Sequence, residues 1–307
     1  MRPLRIGVIG LGDIATKAYL PVLASRPGVD MALMTRDPER LRGIARQYGV
    51  TRATTDLDEL LGLDLDAAFV HAATDAHADL VERLLHAGVH VLVDKPLAAN
   101  LVDCRRLVEL AEARDRSLTV GFNRRYAPSY AALADLPRTV VLMQKNRVGL
   151  PDTPRRLVFD DFIHVVDTLR FLLPPDADAE LVDVVCSGEG GRLRTVMMTL
   201  RAGGVTAVGV MHRVSGSDEE VLEVLGDGHK QRVVNLAEVE RHDPSGMRVT
   251  RRGDWTPVPT QRGFTAMCAA FLDAVGRGQI ISARDALRTH ELCEAVVRRA
   301  EAAVGSS

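Results

Sequence analysis

Four side chains of this sequence have types and spacings suited to proton transfer and substrate binding. Lys95 precedes a proline at the end of an apolar run, and open α/β sheets bind ligands at the carboxyl ends of their strands. Asp160, His164 and Asp167 are spaced i, i+4 and i+7, so they share one face of an otherwise apolar helix. Such a polar stripe requires either a polar cleft or solvent, because unpaired polar groups are costly to bury. A solvated stripe and an exposed lysine are the alternatives.

A glycine-rich turn near the N-terminus predicts a dinucleotide site. The run Gly10-Leu11-Gly12-Asp13-Ile14-Ala15 follows an apolar strand and opens a helix. Gly10 permits the tight turn, and Gly12 lets a pyrophosphate approach the backbone. The amides of Asp13 and Ile14, at the start of the helix, then face the phosphates. A purely structural glycine turn is the alternative.

The residues after the predicted second strand favour NADP as the dinucleotide, with NAD as the alternative. NAD enzymes have an Asp or Glu about 20 residues after the glycine turn, which binds the ribose diol. Here the sequence reads Thr35-Arg36. A hydroxyl and a guanidinium suit a 2′-phosphate, because arginine makes charge-assisted hydrogen bonds to phosphate oxygens. If Arg36 is only a solvated charge, Asp37 would serve the ribose.

The spacing of apolar runs predicts an α/β protein with two sheets. Up to Phe122, apolar runs alternate with amphipathic stretches, which is typical of parallel strands covered by helices. After Asn123, β-type runs cluster between turn signals such as Gly203-Gly204 and Asp227-Gly228. We therefore predict an N-terminal Rossmann parallel sheet that binds NAD(P) over residues 1–122. The C-terminal α/β domain, residues 123–307, is expected to have an open, mainly antiparallel sheet for substrate binding and oligomerisation.

The predicted elements follow these runs. Strands are expected at 4–9, 31–34, 67–71, 89–93 and 118–120, and then at 182–186, 194–200, 205–211, 221–225 and 232–236. A helix is expected near 159–173, a loop from 243 to 262, and two final helices near 264–277 and 283–303.

Composition excludes several classes of partner. The chain has 307 residues, with 39 Lys and Arg against 41 Asp and Glu, so it lacks the basic excess that attracts nucleic acid or anionic lipid. No apolar run approaches the roughly 20 residues of a bilayer span, and Asp13 and Lys17 interrupt the first one too early for a signal peptide. The four cysteines have no metal-binding spacing. We expect a cytoplasmic protein without a metal site and without a nucleic-acid or membrane partner.

Several motifs resemble the Gfo/Idh/MocA family of nicotinamide-dependent oxidoreductases, whose hallmark is Glu-Lys-Pro after the fifth strand. They are Asp94-Lys95-Pro96, Ala73-Thr74 with His77, Gly121-Phe122-Asn123-Arg124-Arg125, and Asp160 with His164. The stretches VDKPLA, VGFNRRYAP and DDFIHVVDTLRFL are most similar to the MviM-like branch. The resemblance covers nearly the whole chain.

The resemblance implies a reaction, an assembly and residue roles. The reaction is hydride transfer between a nicotinamide and a secondary alcohol or ketone of a sugar, sugar derivative, cyclitol or diol. Relatives associate, so a homodimer or homotetramer is expected. Lys95, with a cis bond to Pro96, matches the catalytic lysine, while Asp160 and His164 match the substrate-contacting pair. The residues expected at the cofactor are Ala73, Thr74, His77, Asp94, Lys95, Asn123 and Arg124.

These roles lead to a mechanistic hypothesis. Lys95 and His164 would contact the reacting oxygen, with Lys95 as the proton carrier, and Asp160 would bind a neighbouring hydroxyl. Further substrate contacts are expected from Arg124, Tyr126 and Lys145. Lys145 alternates with Arg147 on a predicted strand, and the pair could bind a carboxylate or phosphate. A salt bridge explains Arg124 equally well, and a solvated sheet face is the alternative for Lys145.

Two departures from the family pattern keep a second class of function open. Asp94 replaces the usual Glu with a shorter carboxylate, and Phe162 stands where glycine is common, so its ring would narrow the pocket. The alternative is a non-catalytic NAD(P)-binding regulatory protein of the same fold. The retained Lys95, Asp160 and His164 favour the enzyme.

Overall fold

The computed structural model describes residues 2–175 and 177–305, which fall into two compact units. The first unit contains the residues up to Gly121 together with Phe264–Leu287. The second unit contains Phe122–Gly263 together with the residues from Arg288 onward. Within the described ranges, no helix is both long enough and apolar enough to span a bilayer.

The first unit is built on a six-stranded parallel sheet ordered β3-β2-β1-β4-β5-β6. The order reverses between β1 and β4, and at such a reversal a crevice opens at the carboxyl ends of the strands. Ile9 at the end of β1 pairs with Met34 on one side and with Val70 on the other. The strands are β1 (Leu4–Ile9), β2 (Val29–Met34), β3 (Arg52–Thr54), β4 (Ala67–Val70), β5 (His90–Val93) and β6 (Leu118–Val120).

Helices in the connections of this sheet begin at recognisable capping residues. Asp37, Asp56 and Asn100 accept hydrogen bonds from first-turn N–H groups of α2, α3 and α5, which would otherwise lack partners. A π-helical turn, Ala15–Tyr19, precedes the first helix. The helices are α1 (Leu20–Ala24), α2 (Pro38–Tyr48), α3 (Leu57–Leu61), α4 (Thr74–His86) and α5 (Leu101–Ala113).

The second unit contains an eight-stranded sheet ordered β14-β13-β12-β11-β7-β10-β9-β8. Only the β7–β10 pairing in this sheet is parallel, as judged from the described residues. The predicted fold class is therefore confirmed, as are the hairpin turns at Gly203-Gly204 and Asp227-Gly228. The strands are β7 (Val140–Asn146), β8 (Glu180–Glu189), β9 (Arg192–Ala202), β10 (Val205–His212), β11 (Glu219–Gly226), β12 (His229–Val234), β13 (Glu238–Asp243) and β14 (Gly246–Arg251).

The second half of the chain contains one 3₁₀ turn and one π-helical turn in addition to its α-helices. Asn123–Tyr126 forms a 3₁₀ turn, and Val158–Phe162 forms a π-helical turn that leads directly into α8. The helices are α6 (Pro128–Ala131), α7 (Pro154–Leu157), α8 (Ile163–Leu172), α9 (Val258–Gln261), α10 (Phe264–Gly276) and α11 (Arg284–Gly305).

Helix α10 does not follow the predicted domain boundary between residues 122 and 123. The sequence placed it in the second domain, whereas the structure groups it with the first unit. The rings of Phe264 and Tyr19 pack edge to face with centroids 5.1 Å apart, and those of Phe271 and Phe69 do so at 5.5 Å. These partners are distant in sequence, so the local pattern does not report the contact.

The loop predicted from 243 to 262 is wrong in its first part, because β14 lies within it. Every residue of Gly246–Arg251 is exposed, so this edge strand has no buried face to produce an alternating pattern. Its pairing with β13, for example Val249 with Glu240, defines it instead. The sequence also missed β3, which has only three residues, and β13, which lies between the last expected strand and the expected loop.

A buried ion pair connects the 3₁₀ turn to β11 in the second unit. The guanidinium of Arg124 donates two hydrogen bonds to Glu220, both 2.7 Å long, and the Tyr130 hydroxyl donates a third at 3.0 Å. Burial alone would raise the pKa of Glu220, but the charge and hydrogen bonds of Arg124 outweigh it and lower that pKa to about 2. The carboxylate therefore stays charged in the folded protein.

We expect Glu220→Gln to destabilise the protein by about 3–5 kcal/mol at neutral pH, because it leaves a buried guanidinium without its counter-charge. The folded-state pKa of Glu220 lies below the unfolded value, so the pair stabilises fully above about pH 5 and progressively less as the pH falls. Urea unfolding should therefore show a difference from wild type that shrinks between about pH 5 and pH 3. Glu223→Gln, on the same strand, is the control, and an equal effect there would contradict the assignment.

Candidate active site

A cleft of about 470 Å³ opens at the carboxyl ends of strands in the first unit. Its lining brings the glycine turn together with the end of β2 and the residues after β4, which is what dinucleotide binding requires. The lining residues that the sequence predicted at the cofactor are Gly10, Gly12, Thr35, Arg36 and Ala73. Polar lining residues that it missed are Arg40, His71, Asp79 and Arg83.

The two glycines of the turn have different physical roles. Gly10 has a φ of +85°, and a Cβ there would lie 2.6 Å from the amide nitrogen of Ala72. A side chain at this position would therefore collide with the backbone after β4. At Gly12 a Cβ would meet nothing within 4 Å, so the backbone borders open space. This uncovered backbone fits the close approach of a pyrophosphate.

The predicted contacts from the helix starts lie outside the cleft lining. Asp13 is exposed, bonds Lys17 at 2.7 Å and lies 3.9 Å from Arg40. Ile14 is 40% exposed, and Thr74 begins α4. The predicted contacts of the Asp13 and Ile14 amides and of Thr74 with a dinucleotide stay predictions.

Three arginine side chains line the cleft. They are Arg36, directly after β2, Arg40 on α2 and Arg83 on α4. Arg40 donates from Nε to the carbonyl of Leu11, which fixes the guanidinium against the glycine turn. Asp37, the alternative ribose ligand, is occupied differently: its Oδ1 accepts N–H groups from the first turn of α2 at 3.0 and 3.1 Å. The cleft lining thus has three arginines against the carboxylate of Asp79, although Arg83 is itself paired with Asp58.

His77 holds two loops of the first unit rather than lining the cleft. Its Nδ1 is 2.8 Å from the carbonyl oxygen of Pro96, and its Nε2 is 3.0 Å from that of Ala72. The side chain is buried, and burial lowers its pKa. A neutral imidazole donates from one nitrogen only, so His77 bonds one of these carbonyls at a time. Its predicted cofactor contact is untested.

Asp94 turns its carboxylate into the first unit. Its Oδ1 accepts a hydrogen bond of 2.8 Å from the Tyr19 hydroxyl, and its Oδ2 lies 3.4 Å from Nδ1 of His71. Burial would raise the pKa of Asp94, but His71, Tyr19 and the charge of Lys95 together lower it. Tyr19 could not be identified from the sequence, because an aromatic residue in a predicted helix is typical of the apolar core. Directly after this carboxylate, half-buried Lys95 forms the expected cis bond to Pro96.

The predicted polar stripe on α8 divides into two parts. Asp160, with a side chain 49% exposed, lies in the π-helical turn, and His164 is half-buried one turn later. Asp167 is buried instead: it accepts two hydrogen bonds from Arg125, at 2.6 and 2.9 Å, and one from Thr289 at 3.0 Å. Asp167 is therefore a structural anchor, which the sequence had left open.

Phe162 is fully buried, and the expectation that its ring narrows the pocket is wrong. Even an ordinary helix would place a residue two positions after Asp160 on the opposite side from it, because i and i+2 do not share a face. In the π-helical turn Val158–Phe162 the ring likewise joins the apolar core of the second unit. Sequence periodicity could not foresee the wider turn.

The other predicted contacts of the second unit are bonded within that unit. Asn123 donates from Nδ2 to the carbonyl of Arg262 at 2.7 Å, and Arg124 forms the ion pair with Glu220. These bonds favour the salt-bridge interpretation of Arg124. Tyr126 is half-buried. The side chain of Lys145 is 2% exposed and bonds Asp161, so a solvated sheet face is excluded for it.

Comparison with known proteins identifies the family. A family model described as "Oxidoreductase family, NAD-binding Rossmann fold" matches residues 4–122, and a model for a YceM-like C-terminal domain matches residues 129–243. The chain is 36% identical over 283 residues to the protein YceM of Salmonella typhimurium, described as an oxidoreductase, with 90% of both chains covered. This protein belongs to the Gfo/Idh/MocA family.

Solved structures of relatives agree with this membership along the whole chain. A Gfo/Idh/MocA family oxidoreductase from Vibrio cholerae has a TM-score of 0.88 and 34% identity, covering 96% of this chain and 97% of its own. The dehydrogenase MviM from Clostridium difficile has a TM-score of 0.89 and 28% identity, with 96% and 99% covered. The predicted resemblance to the MviM-like branch is confirmed.

Family membership makes the protein an oxidoreductase with an NAD-binding Rossmann domain over residues 4–122. The cleft of the first unit lies in that domain. A more distant relative, myo-inositol 2-dehydrogenase of Thermotoga maritima, is 27% identical, with 73% of each chain covered.

Alanine at the two glycines should separate folding from dinucleotide binding. Gly10→Ala forces a clash with the backbone at positive φ and should cost about 1–3 kcal/mol of stability. Gly12→Ala meets open space, so its stability should stay within about 0.5 kcal/mol of wild type while NADPH affinity falls. Urea unfolding and fluorescence titration with NADPH measure the two effects. Unchanged NADPH affinity in Gly12→Ala would remove the pyrophosphate from this turn.

Proposed function

We propose that this oxidoreductase uses NADP to interconvert a secondary alcohol and a ketone on a polyhydroxylated small molecule. Sugars, sugar derivatives, cyclitols and diols form the proposed substrate class. The observation that carries the proposal is the cleft that combines uncovered backbone at Gly12 with the cations beyond β2. The myo-inositol 2-dehydrogenase of Thermotoga maritima supports the substrate class by its name.

The preference for NADP over NAD rests on the charges at one end of the cleft. Thr35 and Arg36 line it directly after β2, and Arg40 and Arg83 add two further guanidinium groups. A guanidinium binds phosphate oxygens through parallel N–H donors, so this environment favours a 2′-phosphate. Asp37 caps α2, which engages the carboxylate that would otherwise suit a ribose diol.

The proposed chemistry divides between the cofactor and three side chains. The nicotinamide, when bound, accepts or donates the hydride. During oxidation, Lys95 Nζ takes the proton of the substrate hydroxyl, and during reduction it returns a proton to the carbonyl oxygen. His164 bonds the reacting oxygen and Asp160 bonds a neighbouring hydroxyl, which orients the substrate. Asp94, the residue before Lys95, stays negatively charged because its pKa is lowered.

We also propose that the protein forms a homodimer or homotetramer through the eight-stranded sheet. Val185 on β8 pairs with Met197 on β9, and both side chains are exposed. Val182 on the same edge strand is exposed as well. Exposed apolar side chains gain stability when a second copy removes them from water, and the charged residues of the same strands, such as Asp183 and Arg201, would pair around them.

Lys95→Ala should lower kcat by about 10²–10⁴-fold, because it removes the proton carrier. The affinity for NADPH should stay within about threefold, since the variant leaves the glycine turn intact. The assay follows NADP⁺ reduction by a panel of polyols and NADPH oxidation by keto-sugars. Lys230→Ala, which removes a surface ion pair with Glu223, is the control. Binding of NADP⁺ without any turnover by wild type would favour a regulatory protein.

Arg36→Ala should weaken NADPH binding by about 10–100-fold and NADH binding by less than about threefold, because NADH lacks the 2′-phosphate. Fluorescence titration with both dinucleotides measures the split. Arg42→Ala removes an exposed arginine of the following helix, α2, and should change neither affinity. Equal losses for NADPH and NADH in Arg36→Ala would assign the arginine to another part of the cofactor.

A further inference from the structure

Three cations of the second unit converge on the carboxylate of Asp161. Lys145 bonds its Oδ1, Arg213 donates to Oδ2 at 2.6 Å, and Nε of Arg147 donates to Oδ2 at 3.2 Å. Lys145 and Arg147 are two residues apart at the end of β7, so both point to the same side of the sheet. Asp161 lies in the π-helical turn, next to Asp160.

The cluster carries more positive than negative charge. Lys145 is paired across the sheet with Glu220, which brings the ion pair of Glu220 with Arg124 into the same cluster. Among the described residues, the cluster thus contains four cations and two carboxylates. Asp160 lies beside the cluster, and the exposed Arg156, 3.7 Å away, offsets its charge.

The pKa values of the cluster record the same imbalance. Burial and the charge of Arg124 lower the pKa of Lys145 to about 7, although Asp161 and Glu220 act in the opposite direction. Burial would raise the pKa of Asp161, but Lys145, Arg147 and Arg213 lower it to about 2. Beyond the effect of burial, repulsion from Arg124 contributes to the lowered pKa of Lys145, and an additional anion would offset such repulsion between the cations.

Arg147 is the member of the cluster that a ligand can reach. Its side chain is 27% exposed, whereas those of Arg213 and Lys145 are 10% and 2% exposed. A guanidinium has five N–H donors in a planar fork, so one that bonds Asp161 through Nε can also bind an oxyanion. Asp161, which bonds this fork, is adjacent in sequence to Asp160, the proposed substrate contact.

We propose that Arg147, held by Asp161 and backed by Arg213, binds an anionic group of the substrate. The substrate is then a polyhydroxylated acid, with a carboxylate or phosphate close to the hydroxyls that Asp160 and His164 contact. This inference rests on the proposed function and narrows its substrate class. Lys145 and Arg213 support the anion through their charge, and Arg147 bonds it.

The test compares acidic and neutral substrates of matched structure. Glucose, gluconate, glucuronate and glucose 6-phosphate form one series, and myo-inositol and its 1-phosphate form a second. NADP⁺ reduction should be at least tenfold more efficient in kcat/KM for an acidic member, and the better of carboxylate and phosphate identifies the group. Arg147→Gln should lower that kcat/KM by about 10–100-fold and change neutral substrates by less than about twofold. Arg241→Gln, an exposed arginine of β13, is the charge-matched control.

A binding measurement distinguishes failure of this inference from failure of the proposed function. Gluconate and inorganic phosphate are titrated calorimetrically into the NADP⁺-loaded wild type, Arg147→Gln and Arg241→Gln. If no compound is oxidised but an anion binds wild type and not Arg147→Gln, the anion site stands and the proposed reaction fails. Preference for neutral substrates, or anion binding equal in wild type and Arg147→Gln, overturns the anion site.

Discussion

The first unit depends on how closely the end of β1 approaches the chain after β4. The backbone turns at Gly10 with a positive φ. A Cβ atom built on this glycine would lie only 2.6 Å from the amide nitrogen of Ala72. Because no side chain separates the two segments, the crevice at the strand reversal stays narrow at its base and open at Gly12. The uncovered turn leaves its backbone amides open to an approaching phosphate, which is what a dinucleotide-binding turn requires.

The second unit depends in a similar way on two buried carboxylates and the cations that pair with them. Glu220 forms an ion pair with Arg124 of the 3₁₀ turn. Asp161 forms ion pairs with Lys145 of β7 and with Arg213, which follows β10. Each carboxylate is held ionised because its partners outweigh the cost of burial. Asp161 also fixes the π-helical turn, so the neighbouring Asp160 remains exposed while Phe162 enters the core. Electrostatics inside the unit thus decides which side chains of this turn are available to a ligand.

Local chemistry explains which site residues could be predicted from the sequence. The sequence predicted four residues of the cleft lining, Gly10, Gly12, Thr35 and Arg36. The two glycines belong to a recognisable turn motif, and the other two directly follow a predicted strand, so neighbouring residues were enough to find them. Tyr19, in contrast, bonds Asp94 across 75 positions of the chain. His71 and Asp94, Arg124 and Glu220, and Lys145 and Asp161 likewise form pairs whose members belong to different elements.

The sequence by itself determined the alternation of strands and helices in the first half of the chain, the two kinds of sheet and the glycine turn, because periodicity and turn chemistry operate over a few residues. Only the tertiary structure decided that α10 joins the first unit, that β14 extends the second sheet, and that Asp167 is an anchor rather than part of a polar stripe. Those outcomes depend on packing and ion pairs between residues far apart in the chain. Such contacts form only after the local elements have met, so no short stretch of sequence contains them.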